Sequence, residues 1–94
     1  MGPDDGVMMI LKHGVGSTKD YGVVTALWKR SGTYYAEARV FLRSSPDIEG
    51  MVETIRVQAA QSDLATAQLE EKVAKKFGSL KWLRWSSTYR SRIQ

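Results

Sequence analysis

The stretch that decides the fold is "YGVVTALWKRSGTYYAEARVFLR", residues 21–43. Two runs rich in β-branched and aromatic residues flank Ser31-Gly32, and a two-residue connection with Gly second signals a hairpin. Pairing Arg30 with Thr33 sets Trp28 opposite Tyr35 and fixes both faces, because strand side chains alternate. One face collects Val23, Leu27, Tyr34, Ala36, Ala38, Val40 and Leu42 and reads as the core. The other collects Val24, Trp28, Arg30, Tyr35, Glu37, Arg39, Phe41 and Arg43.

A third run, Met51 to Ala59, alternates Glu53, Ile55 and Val57 against Thr54, Arg56 and Gln58, after a Pro46-containing loop that ends at Gly50. A helix is predicted from about Asp63 to Phe77, because Ala65, Leu69, Val73 and Phe77 recur every four residues. Ser62 is its expected N-cap and Gly78 its C-terminal stop in the left-handed conformation, with Glu71 and Lys75 spaced for an i,i+4 pair. The order gives an α+β fold: a three-stranded antiparallel sheet packed on one helix. Residues 7–13 would add a strand, with "HGVGSTKD" as the loop after it, and the C-terminal run would extend the sheet to four or five strands.

That run, "SLKWLRWSSTYRSRIQ" (79–94), fits two periods. As a strand it separates Leu83, Trp85, Tyr89 and Ile93 from Leu80, Trp82, Arg84, Thr88, Arg90 and Arg92. As a helix it aligns Trp82, Trp85, Tyr89 and Ile93. Ser86-Ser87-Thr88 disfavours the helix, since these side chains compete for backbone hydrogen bonds. An extended segment to about Thr88 is expected. Residues 1–6 are read as a frayed or non-native terminus, 7–89 as one domain, and 90–94 as a flexible basic end.

Composition is that of one small globular domain: 94 residues, 43% hydrophobic and 26% charged. There is no cysteine, so neither disulfides nor thiolate metal sites exist, and His13 is the single histidine. The longest apolar run, Val7 to Leu11, is far short of the roughly 20 residues that span a bilayer. A soluble, cytoplasmic chain is expected. Its limited capacity to bury surface makes a homodimer a natural route to further burial.

The charge is polarised. The chain carries net +4, but residues 72–94 hold +7 with no acid, and residues 1–71 are net −3. A basic pole of this kind attracts polyanions. The non-core sheet face interleaves Trp28, Tyr35 and Phe41 with Arg30, Arg39, Arg43 and Arg56, and arginine suits bidentate contact with phosphate or guanine. Three strands followed by a helix, with such a face, is a layout similar to the plant AP2-type domain and to the arm-binding domain of tyrosine recombinases. That resemblance, one of order and face, implies insertion of the sheet into the DNA major groove.

Two other readings compete. Cross-strand Trp–Tyr and Glu–Arg pairs stabilise a ribbon with no ligand, and arginine stems pack over aromatics on solvated sheets. The C-terminal segment, folded across this face, would turn Trp28, Tyr35 and Phe41 into a second core. Catalytic patterns fail. "HGVGSTKD" lacks the Gly-Lys-Ser/Thr order of a nucleotide-binding loop. Pro46-Asp47 with Glu70-Glu71-Lys72 shares residue types with metal-dependent nucleases, but its acid–lysine part lies mid-helix. His13 has no evident nucleophile or orienting acid.

The expected function is non-enzymatic nucleic-acid binding, DNA before RNA, without cofactor or metal, in a chain whose size suits a phage, plasmid or mobile element. Trp28, Arg30, Tyr35, Arg39, Phe41, Arg43 and Arg56 would read from the sheet. Lys75, Lys76, Lys81, Arg84, Arg90 and Arg92 would hold phosphates. The alternative is a protein-interaction or assembly subunit, for example a small phage structural or inhibitor protein, using the same face.

Overall fold

A computed structural model describes residues 9–44 and 48–87. Five strands and one helix follow one another as β1 (Met9–Ser17), β2 (Tyr21–Arg30), β3 (Thr33–Leu42), β4 (Met51–Ala59), α1 (Ser62–Phe77) and β5 (Trp82–Ser87). A single 3-10 turn, Ile48–Gly50, leads into β4. The sheet is antiparallel in the order β4-β3-β2-β1-β5. The α+β class holds, and three strands undercounts the sheet by two.

The hairpin register is the expected one, with Arg30 opposite Thr33 and Trp28 opposite Tyr35. Ser31 (φ 52°) and Gly32 (φ 82°) both take positive φ, the conformation that lets a two-residue loop follow the strand twist. Glycine accepts this freely, whereas Ser31 does so at some steric cost.

The helix lies over β4, β3 and β2. It buries Ala65, Leu69 and Val73 against Val23, Leu27, Ala36, Ala38, Ile55 and Val57, and Phe77 packs at the margin. Tyr21 meets Phe77 edge-on, with ring centroids 5.0 Å apart, and closes that end. Val40 is fully buried as expected, Tyr34 is half-buried, and Leu42 at the strand end is exposed.

Both helix ends depart in detail from the expectation. Ser62 lies inside the first turn, because the Gln61 carbonyl accepts the first helical bond, from Ala65 N–H at 3.1 Å. Gln61 is therefore the cap residue, extended at φ −135° and ψ 149°, and no side chain caps the helix. Gly78 stops the helix at φ 97° and ψ 162°, outside the left-handed helical well, with its N–H donating to the Ala74 carbonyl at 3.0 Å. Lys76, rather than Lys75, makes the helix's ion pair, reaching Glu53 of β4 at 2.7 Å.

The larger correction concerns β1. It runs to Ser17, so His13 to Gly16 form a strand and only residues 18–20 turn the chain. The glycines are why this strand fits. Gly14 pairs with Thr25 on one side and Trp85 on the other, and Gly16 with Val23 and Leu83. All of these lie on the helix-side face. With no side chain on β1 at those positions, the Trp85 ring leans over the strand and its Nε1–H donates to Glu70 of α1 at 3.1 Å. Leu83 fills the space next to Gly16. The strand reading of the C-terminal run is thus correct for Trp82 to Ser87. Leu80, however, packs on the core rather than alongside Trp82.

The Thr18 hydroxyl accepts a bond from Tyr21 N–H at 3.1 Å and ties the β1–β2 turn. Beneath Gly14 the buried Thr25 hydroxyl has no partner. A Cβ at Gly14 would land against that hydroxyl and 3.2 Å from the Trp85 ring. Gly14→Ala should therefore lower stability by about 1–3 kcal/mol through overpacking. Gly22→Ala, whose Cβ meets nothing within 4 Å, should leave stability unchanged or raise it. Urea midpoints of the two variants test this, and equal midpoints would contradict the packing described.

Candidate nucleic-acid interface

One face of the sheet carries the helix, and the other carries nothing among the described residues. β5 extends the sheet at the β1 edge rather than folding across it. Residues 82–87 therefore do not cover Trp28, Tyr35 and Phe41. Tyr89, Arg90, Arg92 and Ile93 lie outside the described residues, as do residues 1–8 and the Pro46-Asp47 pair.

The pairing registers lay the open face out in rows. Arg84, Val15, Val24, Arg39 and Thr54 form one, running from β5 to β4. Ser86, His13, Ala26, Glu37 and Arg56 form the next, and Ile10, Trp28, Tyr35 and Gln58 the one beyond. At the far end Ser17 and Gly22 sit between Trp82 and Phe41. The centre is thus small or apolar, with Val15 at 54% and Val24 at 46% exposure, and arginines flank it on both sides.

On the β3–β4 side the charged groups are organised. Arg56 Nη2 donates to Glu37 Oε2 at 2.7 Å. Arg39 Nε stands 3.6 Å from Glu37 Oε1, so one carboxylate takes a guanidinium on each oxygen. Glu37 is 11% exposed, whereas Arg39 and Arg56 are 59% and 61% exposed. The Arg56 guanidinium also lies 5.6 Å from the Trp28 ring centroid, within cation–π range. Trp28 in turn stacks on Tyr35, with centroids 5.7 Å apart and planes at 12°. Five side chains from three strands therefore hold one another in place.

The anticipated residues divide accordingly. Trp28, Tyr35, Phe41, Arg39 and Arg56 share the open face, and Arg84 joins it from β5. Arg30 is exposed at the hairpin end. Arg43 lies past β3, where its Nη1 donates to the Lys19 carbonyl at 3.0 Å and pins the β1–β2 turn. Lys81 precedes β5, with its backbone N–H bonded to the Ser17 carbonyl at 2.7 Å. Lys75 and Lys76 sit on the helix layer, next to a groove lined with Lys72, Glu53 and Ile55, on the other side of the sheet. One straight ligand on the open face cannot touch them as well.

Three contributors went unnoticed in the sequence. Val15 and His13 were hidden when "HGVG" read as a loop, although their alternation with Gly14 and Gly16 was a strand signal. Trp82 looked like packing, yet it is 50% exposed. His13 borders two shallow depressions on this face, one of about 210 Å³ reaching Ala26 and Glu37 and one of about 320 Å³ reaching Trp82 and Arg84. Among the described residues no three His, Asp or Glu side chains come together as a metal site. No described helix is long and apolar enough to cross a membrane.

The chain matches no protein-family model, no curated protein and no solved structure. The reading of the open face rests on its own geometry.

If the aromatic pair is packed as described, Trp28→Ala and Tyr35→Ala should be energetically coupled. A double-mutant cycle on thermal or urea unfolding should give about 0.5–1.5 kcal/mol of interaction. Strict additivity would show that the rings do not stack.

Proposed function

We propose that this is a small, non-enzymatic DNA-binding protein whose open sheet face is the contact surface. The observation that carries the reading is the row Arg84–Val15–Val24–Arg39, which lies on the face that the helix does not cover. Guanidinium groups outside a small apolar centre suit a polyanion ridge. The Arg84 flank meets phosphates, while the centre and the Arg39 flank admit base edges or a thymine methyl. Phosphate contacts supply affinity, and counterion release makes that affinity fall steeply with salt.

A protein interface is the second reading, supported by the exposed Val15, Val24, Met51 and Val52. Interface centres favour the same aromatic and arginine side chains. The two predict different salt responses, because an apolar interface is little screened.

Fluorescence anisotropy of a labelled duplex, titrated at several salt concentrations, tests the proposal. Binding should decline linearly in log–log salt. Arg84→Ala should reduce the slope by about one if it removes a phosphate contact, and Arg39→Ala should weaken binding. Lys75→Ala, on the helix layer, should leave affinity within about twofold of the parent. Binding that depends on Lys75 and not on Arg84 would move the contact surface to the helix side. No binding at low salt would leave the protein-interface reading.

A further inference from the structure

Among the described residues the open face contains one acid, Glu37, at the point where a DNA-binding surface should least tolerate it. A carboxylate there repels phosphates and the acceptor-rich edge of guanine alike. Yet it is the most enclosed charged group of the cluster and touches two arginines, one through each oxygen. Arginine has several rotatable bonds, and holding it in one pose before binding removes most of the entropic cost of ordering it. Glu37 and the Trp28 ring together do this for Arg56, and Glu37 does it for Arg39.

We propose that Glu37 is a positioning residue that fixes Arg39 and Arg56 as a base-reading pair for duplex DNA. This rests on the reading of the face given above. Three observations support it. First, the pair is spaced for the task. Glu37 and Arg56 are directly opposite across β3 and β4, and Arg39 stands opposite Thr54, so the arginines are diagonal neighbours. Diagonal neighbours lie about 7–8 Å apart, close to two base-pair steps of about 3.4 Å each.

Second, both guanidinium groups keep donors to spare. Arg56 uses Nη2 on Glu37 and Arg39 presents Nε to it. An arginine has five N–H donors in a planar fork, so each retains an edge able to face two acceptors of one base.

Third, the aromatic rings beside the arginine pair are already engaged. Trp28 has Tyr35 against it and Arg56 over it, and Phe41 is half-buried. Single-stranded nucleic acid is gripped by bases stacking on free ring faces. The β3–β4 side of this surface offers guanidinium edges instead, and the B-form major groove is where such edges find a distinct acceptor pattern.

The test starts from a random-sequence duplex library enriched on the wild-type protein. Affinities are then measured for the selected duplex, a scrambled duplex and the selected sequence as a single strand. Wild type should prefer the selected duplex over the scrambled one by tenfold or more, which is about 1.4 kcal/mol or more. The single strand should bind more weakly than the duplex.

Glu37→Gln removes a negative charge, so it should tighten binding to the scrambled duplex while the selected-to-scrambled ratio falls severalfold. Arg56→Lys keeps the charge but loses the fork, and should lower the ratio without weakening scrambled binding more than about twofold. Circular dichroism melts establish that each variant is folded. Should either variant fail to fold, the other still decides the matter.

The proposal is overturned if Glu37→Gln raises both affinities equally and keeps the ratio. Enrichment of no sequence, or preference for the single strand, also overturns it while DNA binding itself stands. A wild-type protein that binds none of the three probes removes the DNA reading altogether.

Discussion

The fold depends on an indole placed over a strand that has no side chain beneath it. Trp85 pairs with Gly14, leans across β1 and donates its Nε1–H to Glu70 on the helix. The helix covers β4, β3 and β2, and this ring joins Leu11 and Leu80 in covering the β1 side of the core. Trp85 thus helps complete the hydrophobic layer and ties the last strand to the helix. Gly16, against Leu83, repeats the arrangement on a smaller scale. The glycines sacrifice strand propensity to admit the ring, an exchange that favours packing over local preference.

This constraint determines what the other face looks like. Because β5 is held at the β1 edge, Trp82 and Arg84 join the helix-free side while Leu83 and Trp85 turn inward. The same strand therefore seals one face and decorates the other. On that decorated side, arginines at both flanks enclose Val15 and Val24. Glu37 stands between two of the arginines and faces one on each carboxylate oxygen. A solvated face would leave each arginine to find its own rotamer, so the shared carboxylate separates this cluster from ordinary surface charge.

How much of this was legible in the sequence follows from how each element encodes itself. β2, β3 and β4 announce themselves by alternation, and the turn at Ser31-Gly32 fixes the β2–β3 register, so the core face of the hairpin was readable except at Leu42, which is exposed. Helix α1 was readable from a four-residue repeat; its N-cap slipped by one position, Gly78 took another conformation, and Lys76 rather than Lys75 found an ion-pair partner. β1 was cut short because Gly14 and Gly16 are loop residues by propensity. Their reason for being glycine lies in β5, with the Trp85 ring over Gly14 and Leu83 against Gly16, a tertiary cause that no local window contains. The role of Glu37 was hidden for a similar reason. Its position on the face could be derived, but its enclosure by Arg39 and Arg56 depends on a β3–β4 register that the sequence left open. Lys75 and Lys76 show the converse, since charge counted along the chain grouped them with Arg84 although the sheet stands between.

Three tryptophans report on the two sides of the sheet, and their indole N–H resonances offer the most direct measurement. Trp28 and Trp82 belong to the open face, and Trp85 belongs to the layer beneath the helix. Adding a short duplex to isotope-labelled protein should shift the Trp28 and Trp82 signals, together with the side chains of Arg39 and Arg84, and leave Trp85 in place. Shifts at Trp85 and along Lys72 to Lys76, with Trp28 and Trp82 unmoved, would contradict the account and assign binding to the helix layer.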